Sequence, residues 1–285
     1  MKRIIGYIAF AVTLGCMMGA CSGVNQIIKS GDPEYAYQQA LEFYGAEKWS
    51  KASTLFEACR HIYVGTPRED TITFYTAHCK FKERDWDAAS MMLDEFRRKF
   101  GRSPFIEQAE GMYAHCFFRM APGPKRDQAL TTQAIVAISE FMSRYPDSKQ
   151  IPEFQQMIDI LSERLQEKSY LNAYTYYKIG RYKSAIVAFK NAIKRYPDSK
   201  HREDMMYYTV VSSYRLAANS VEAKQTDRYL SMLDSYYTFL NEYPESDHLK
   251  ELERMAKDAR NYLDKNRTSE PESEETSQPQ FNDFR

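Results

Sequence analysis

Three nearly identical tetrapeptides recur in the second half of the chain. They are YPDS at residues 145–148, YPDS at residues 196–199 and YPES at residues 243–246. Each follows an amphipathic stretch of helical periodicity, and the proline ends such a helix because it has no amide hydrogen to donate. The Asp and Ser that follow suit the start of another helix. The recurrence of these helix-ending tetrapeptides constrains the chain to a series of repeated helical units.

Upstream of each tetrapeptide, and twice more near the N-terminus, the same pattern of apolar residues recurs. A first residue, usually small, is followed four positions later by a larger apolar one and three positions after that by another apolar residue. These spacings place all three on one helix face. The pattern predicts one buried face per repeat, formed by Ala52, Phe56 and Cys59; Ala89, Leu93 and Phe96; Ala134, Ile138 and Phe141; Ala185, Phe189 and Ala192; and Met232, Tyr236 and Phe239.

A partner helix lies before most of these stretches. Aromatic residues flank a short Gly-containing turn in FYGAEKW (43–49) and YYKIGRY (176–182), and FKERDW (81–86) has the same layout without Gly. Helix, tight turn and second helix are typical of the tetratricopeptide repeat. The repeat starts are further apart than in the standard repeat of about 34 residues, from 37 (52 to 89) to 51 (134 to 185). We expect an all-α fold over residues 32–265, a right-handed superhelix of about five repeats.

The N-terminus has the layout of a lipoprotein signal. Two basic residues precede an apolar run, and small residues precede Cys21. The prediction is a signal peptide at 1–20, an acylated Cys21 and a flexible linker at 21–31. Cys16 is the alternative acceptor. Acyl chains on Cys21 would hold the chain at a membrane.

The C-terminal segment is acidic and contains Pro but almost no apolar residues. Such a composition buries too little surface to offset the ordering of the chain, so residues 266–285 are expected to be a disordered tail. Phe281 and Phe284 would be its anchors if a partner ordered it.

The charge balance excludes some partners. Lys plus Arg and Asp plus Glu number 39 each, so the formal net charge is zero. The chain therefore has no basic excess of the kind that indicates nucleic-acid binding. It also has no polybasic tract of the kind that indicates binding to anionic lipid. The 22 Tyr and 16 Phe favour stacked helices with large interdigitating side chains.

A concave surface lined by the first helix of each pair is the predicted binding site. Aromatic side chains there suit extended peptides, since Tyr combines apolar area with a hydrogen-bonding end. Many of the same rings are equally compatible with packing between helices. The candidates are Tyr37, Leu41, Tyr44, Phe74, His78, Phe81, His115, Phe118, Tyr170, Tyr174 and Tyr177.

Enzyme motifs are absent, and neither a cofactor nor a metal is expected. His78-Cys79 and His115-Cys116 recur at equivalent repeat positions and include the residue types of a zinc site. Adjacent residues on a helix point about 100° apart, however, so both members of a pair rarely face one ion. The cysteines, with Cys59, are therefore expected to pack as small apolar residues.

Taken together, the segments at 25–40 (NQIIKSGDPEYAYQQA), 176–204 and above all 218–246 resemble the BamD-type lipoproteins of the β-barrel assembly machinery, particularly those of Bacteroidetes. The resemblance covers nearly the whole chain and implies five tetratricopeptide repeats. Cys21, as the acylation site, is the only residue to which the resemblance assigns a functional role. The acidic tail is not explained by the family pattern.

The resemblance implies a non-enzymatic scaffold at the outer membrane, facing the periplasm. Its partners would be the POTRA domains of a BamA-like barrel subunit, bound by the C-terminal repeats, and unfolded outer-membrane β-barrel proteins, engaged by the N-terminal repeats. Family members use cationic contacts near the end of the fourth repeat, where this chain has Lys190, Lys194 and Arg195. The alternative is another periplasmic repeat lipoprotein that scaffolds or activates cell-wall synthesis or division proteins.

Overall fold

A computed structural model describes residues 22–267 of the protein. The predicted signal peptide at 1–20, the predicted acylation site Cys21 and all but the first two residues of the predicted disordered tail at 266–285 lie outside the described residues. The described part is all-α, as predicted, and none of its helices is long and apolar enough to cross a membrane. The helices are α1 (Ser22–Lys29), α2 (Pro33–Gly45), α3 (Trp49–Arg60), α4 (Glu69–Lys82), α5 (Trp86–Lys99), α6 (Ile106–Met120), α7 (Ala129–Arg144), α8 (Ile151–Lys178), α9 (Tyr182–Arg195), α10 (Arg202–Ala218), α11 (Glu222–Glu242) and α12 (Leu249–Arg267).

The chain forms two compact units, the first ending at Ser162 and the second beginning at Glu163. The first unit contains the helical hairpins α2–α3, α4–α5 and α6–α7, followed by the first part of α8. The second contains the rest of α8, paired with α9, then the hairpin α10–α11 and the final helix α12. Within the described residues this makes five helix-turn-helix repeats, the number that the sequence pattern predicts.

The buried face predicted for each repeat is confirmed. All fifteen positions of the recurring pattern are at most 5% exposed, and most are completely buried. Residues such as Ala52, Ala89, Ala134 and Ala185 have no exposed surface, so the neighbouring helix packs directly against the backbone there.

The links between repeats share one hydrogen bond. In each of the three tetrapeptides the Ser hydroxyl accepts a hydrogen bond from the backbone amide two residues later in the chain. The distances are 3.3 Å for Ser148, 3.3 Å for Ser199 and 3.2 Å for Ser246. Thr66 and Ser103 make the same bond at the two earlier links, at 3.3 Å each. These hydroxyls satisfy amides that have no carbonyl partner in the preceding turn, and so define where the next helix begins.

The turns within three hairpins share one backbone conformation. Glu47, Arg84 and Gly180 each have a positive φ, of 57°, 62° and 73°. The sequence pattern places Gly in the first of these turns, at Gly45, yet the left-handed residue there is Glu47. A side chain in this conformation costs about 1–2 kcal/mol, so tertiary packing must hold the first two turns in place.

The predicted flexible linker at 21–31 is wrong for most of its length. Residues Ser22–Lys29 form α1, and its apolar side chains Val24 and Ile27 are buried against α2 and α3. The helix forms because Val24 and Ile27, three positions apart, fall on one face and close the exposed end of the first repeat.

Candidate functional site

The predicted binding residues divide into two classes. Tyr37 and Phe74 have only 8% and 2% of their surface exposed, so both are core residues and are excluded from the surface proposed below. The others are half-buried. They are Leu41, Tyr44, His78, Phe81, His115, Phe118, Tyr170, Tyr174 and Tyr177.

A cluster of rings joins the first two repeats. Tyr44 on α2 shares a 2.8 Å hydrogen bond between its hydroxyl and Nδ1 of His78 on α4. Trp49, at the start of α3, packs edge-on against both rings, with centroid distances of 5.3 Å to Tyr44 and 5.7 Å to His78. Tyr75 stacks on Tyr44 at 4.4 Å. The hydrogen bond and the ring contacts hold these side chains in one orientation.

A second cluster continues from the second repeat to the third. Phe81 lies one turn after His78 on α4 and contacts the edge of Trp86, with ring centroids 5.1 Å apart. His115 on α6 meets Phe81 at 6.3 Å and Phe154 at 5.1 Å. We call Tyr44, Trp49, His78, Phe81, Trp86 and His115 the aromatic row.

The aromatic row is uncharged at neutral pH. Burial, assisted by the Lys82 ammonium, lowers the pKa of His78 to about 4. Burial also lowers the pKa of His115, although the Glu153 carboxylate partly opposes this effect. Both imidazoles are therefore neutral near pH 7, and the row presents apolar edges with hydrogen-bonding nitrogens.

Sequence reasoning missed the two tryptophans of the row. The sequence pattern identifies Trp49 and Trp86 only as aromatics that follow a hairpin turn. Both begin the second helix of a repeat, and only the hairpin geometry brings that position beside the first helices. Their equivalent places after two successive turns, at the ends of FYGAEKW and FKERDW, were the available signal.

The predicted tyrosines of the fourth repeat belong to a different cluster in the second unit. Tyr170 stacks on His201 at 4.7 Å, and Tyr174 and Tyr177 meet Tyr208 of α10 at 4.9 and 4.8 Å. Burial raises the pKa of Tyr170 to about 12. This cluster packs α8 against α10. In the first unit, Phe118 packs against the core that contains Phe141.

The paired His and Cys residues do not converge. Cys59, Cys79 and Cys116 are buried free thiols, as the packing interpretation predicts. Burial raises the pKa of Cys79 and of Cys116 to about 12, which keeps both protonated and poorly nucleophilic. Within residues 22–267, no group of three or more His, Cys, Asp or Glu side chains is arranged to hold a metal ion.

Comparison with known proteins agrees with this architecture. The model of the YfiO family, described as "Outer membrane lipoprotein", matches residues 29–171 and 161–268. The outer membrane protein assembly factor BamD of Caulobacter vibrioides is 25% identical over 231 residues, covering 77% of this chain and 75% of the relative. BamD of Neisseria meningitidis serogroup B is 22% identical over 248 residues, covering 80% and 91%.

Two further similarities are more distant. The putative BamD of Aquifex aeolicus is 21% identical over 250 residues, covering 87% of this chain and 81% of the relative. The TPR2AB domain of yeast Sti1, in its pHSP90 complex, aligns with a TM-score of 0.38 at 12% identity, over 80% of this chain and 98% of that one. The family model spans nearly all of the described residues, and the chain therefore belongs to the YfiO family of outer membrane lipoproteins.

Proposed function

We propose that the protein is a non-enzymatic scaffold of β-barrel assembly, held at the periplasmic face of the outer membrane by acyl chains on Cys21. The observation that carries this proposal is the family match across residues 29–268, together with relatives named as outer membrane protein assembly factors. The repeat architecture supports a binding role because stacked helical hairpins expose extended surfaces suited to other proteins.

The aromatic row is the proposed site for unfolded barrel proteins. Transmembrane β-strands alternate apolar and polar residues over about ten positions, and aromatic residues flank their apolar band. Such a segment can place its apolar side chains against the half-buried rings of Trp49 and Trp86 while its backbone remains extended. Because both histidines of the row are neutral, binding does not require a charged partner.

The second unit is the proposed site for the POTRA domains of a BamA-like barrel subunit. This assignment follows from the family resemblance, in which the C-terminal repeats make that contact. It is supported by the basic residues near the end of α9, where Lys190, Lys194 and Arg195 are all exposed.

Co-purification tests the proposed scaffold role. When the tagged, lipidated protein is purified from detergent-solubilised outer membrane, a BamA-like barrel protein is expected to accompany it and to be identified by mass spectrometry. A tagged outer-membrane lipoprotein without tetratricopeptide repeats is the control. Recovery of cell-wall synthesis or division enzymes without a barrel subunit would favour the alternative scaffold instead.

A Trp49→Ala/Trp86→Ala variant is expected to bind an unfolded barrel segment at least about 30-fold more weakly, since a tryptophan at the centre of an interface can contribute about 2 kcal/mol or more, and about 1.4 kcal/mol corresponds to tenfold. The measurement is fluorescence anisotropy with a labelled ten-residue peptide of alternating apolar and polar residues. Tyr35→Ala is the matched control, because Tyr35 is a 47% exposed aromatic on α2 that is not part of the row.

The same experiment needs a check on folding. Trp49→Leu/Trp86→Leu keeps apolar volume at both positions, and thermal unfolding shows whether each variant remains folded. If both folded double variants bind like the wild type, the aromatic row is not the peptide site. If Tyr35→Ala weakens binding as much as the double variant, the site is not confined to the row.

A further inference from the structure

A groove on the second unit has features of a peptide-binding site. It has a volume of about 400 Å³ and lies between α9 and α11, with α10 forming its base. Ile193 on α9 and the buried Met206 on α10 contribute apolar surface to the groove. This volume lies within the range of about 300–1,000 Å³ that is usual for ligand-binding clefts.

One wall of the groove is positively charged. Lys190 and Lys194 are four residues apart on α9, so they lie on the same face, and both are exposed. Neither pairs with a carboxylate anywhere in residues 22–267. Arg202, which also lines the groove, is instead held by Glu242, with Nη2 donating to Oε2 at 3.0 Å. Two cationic groups of the groove therefore lack a counter-ion within the described part of the chain.

The opposite wall offers hydrogen-bond acceptors. The hydroxyls of Ser231, Ser235 and Thr238 on α11 donate to carbonyl oxygens one turn back, at 2.9, 3.1 and 2.8 Å. Their lone pairs remain available as acceptors. The Asp234 carboxylate lies on the same wall. An extended backbone lying along this wall can donate its amide hydrogens to these oxygens.

The C-terminal segment of this chain has carboxylates that complement the basic wall of the groove and aromatic side chains that complement its apolar surface. Residues 268–285 contain five carboxylates, Glu270, Glu272, Glu274, Glu275 and Asp283, against one basic residue, Arg285. Phe281 and Phe284 are the only large apolar residues in this segment. The sequence Phe-Asn-Asp-Phe at 281–284 thus combines two aromatic side chains with a carboxylate.

We propose that residues 270–284 dock in this groove of the same chain. The aromatic side chains of 281–284 pack on Ile193 and Met206, and the carboxylates face Lys190 and Lys194. The fourteen residues from 268 to 281 reach about 45 Å when extended, whereas a compact unit of about 100 residues is roughly 35 Å across. Docking covers the groove, so any protein that binds this face must first displace the segment.

Disulfide trapping in the full-length lipoprotein in detergent tests this docking. Arg285→Cys leaves both phenylalanines intact and is combined singly with Ser231→Cys or Thr238→Cys, which are exposed positions of the groove. A disulfide requires Cα atoms within about 7 Å. Under mild oxidation, an intramolecular disulfide with at least one groove position is expected, identified by peptide mass spectrometry.

Arg285→Cys with Lys257→Cys is the matched control for trapping. Lys257 is exposed on α12, ten residues before the helix ends, and therefore lies about 15 Å from the start of the segment. An undocked segment reaches this control position easily. Disulfide formation with the groove is expected to be at least fivefold faster than with residue 257. Equal or slower formation, or disulfides only between two chains, would overturn the proposal.

Charge reversal provides a second test. Lys190→Glu/Lys194→Glu is expected to slow trapping at least fivefold, and Asp283→Lys in the same chain to restore part of the rate. Lys250→Glu/Lys257→Glu makes the same change in net charge on exposed residues of α12 and is expected to leave the rate unchanged. Equal effects of the two reversals, or none from either, would contradict a specific contact with the groove.

Discussion

A Cys21→Ser variant is expected to leave the outer membrane almost completely. Serine cannot receive a thioether-linked lipid, so the mature chain would lose every acyl chain that holds it. Each buried methylene contributes about 0.8 kcal/mol, and two or more chains give stable attachment where one gives only reversible binding. The measurement is the fraction of protein in outer-membrane, inner-membrane and soluble periplasmic fractions. More than nine-tenths of the wild type is expected in the first, and only a minor part of the variant.

Cys16→Ser is the matched control for this prediction, because Cys16 is the alternative acceptor in the same apolar segment. If the Cys16→Ser variant leaves the outer membrane while the Cys21→Ser variant stays there, residue 16 is the acylation site. Retention of both variants would show that a partner holds the chain at the membrane. Since Ser at position 21 can leave the signal uncleaved and the chain tethered to the inner membrane, mass spectrometry of the N-terminus must accompany the fractionation.

The repeat architecture was predictable because its causes are local. A proline that ends a helix, and apolar residues at spacings of three and four, act through the nearest turns of backbone. The buried positions from Ala52 to Phe239 follow from that pattern alone. At the three tetrapeptides, the sequence predicts that a polar side chain caps the next helix. Thr66 and Ser103 do not stand out in the sequence because their flanking residues differ, although their hydrogen bonds are the same.

The candidate site was less predictable, since it depends on contacts between helices. Helical periodicity places Tyr37 and Tyr44 on one face of α2, but it cannot state how far each ring is covered by a neighbour. Tyr37 lies under Tyr63 and the Arg68 guanidinium and becomes core, whereas Tyr44 remains half-open beside Trp49. The helix α1 was missed for a related reason: eight residues form a stable helix only when a partner surface is present.

The recurring pattern also identifies where the fold is most sensitive, and Phe189→Ala is the substitution expected to show it. Phe189 is completely buried in α9 and stacks on Tyr208 of α10, with ring centroids 5.8 Å apart. Removing a buried phenylalanine ring loses its transfer free energy and leaves a cavity, at a cost of about 3–5 kcal/mol. Neighbouring alanines such as Ala173 and Ala185 cannot fill that space, because they have no longer side chain to move.

Hydrogen exchange measures this loss where it occurs, which matters because a chain of two units need not unfold in one step. Amides of α9 and α10 are expected to exchange about two to three and a half orders of magnitude faster in Phe189→Ala than in the wild type, as about 1.4 kcal/mol corresponds to tenfold. Val187→Ala is the matched control. Val187 lies two residues away on the same helix but is 54% exposed, so its truncation should change stability by about 0.5 kcal/mol or less. Similar exchange rates in the two variants would mean that Phe189 is not a core residue, and the periodicity from which the five repeats were inferred would then lose its physical basis in this unit.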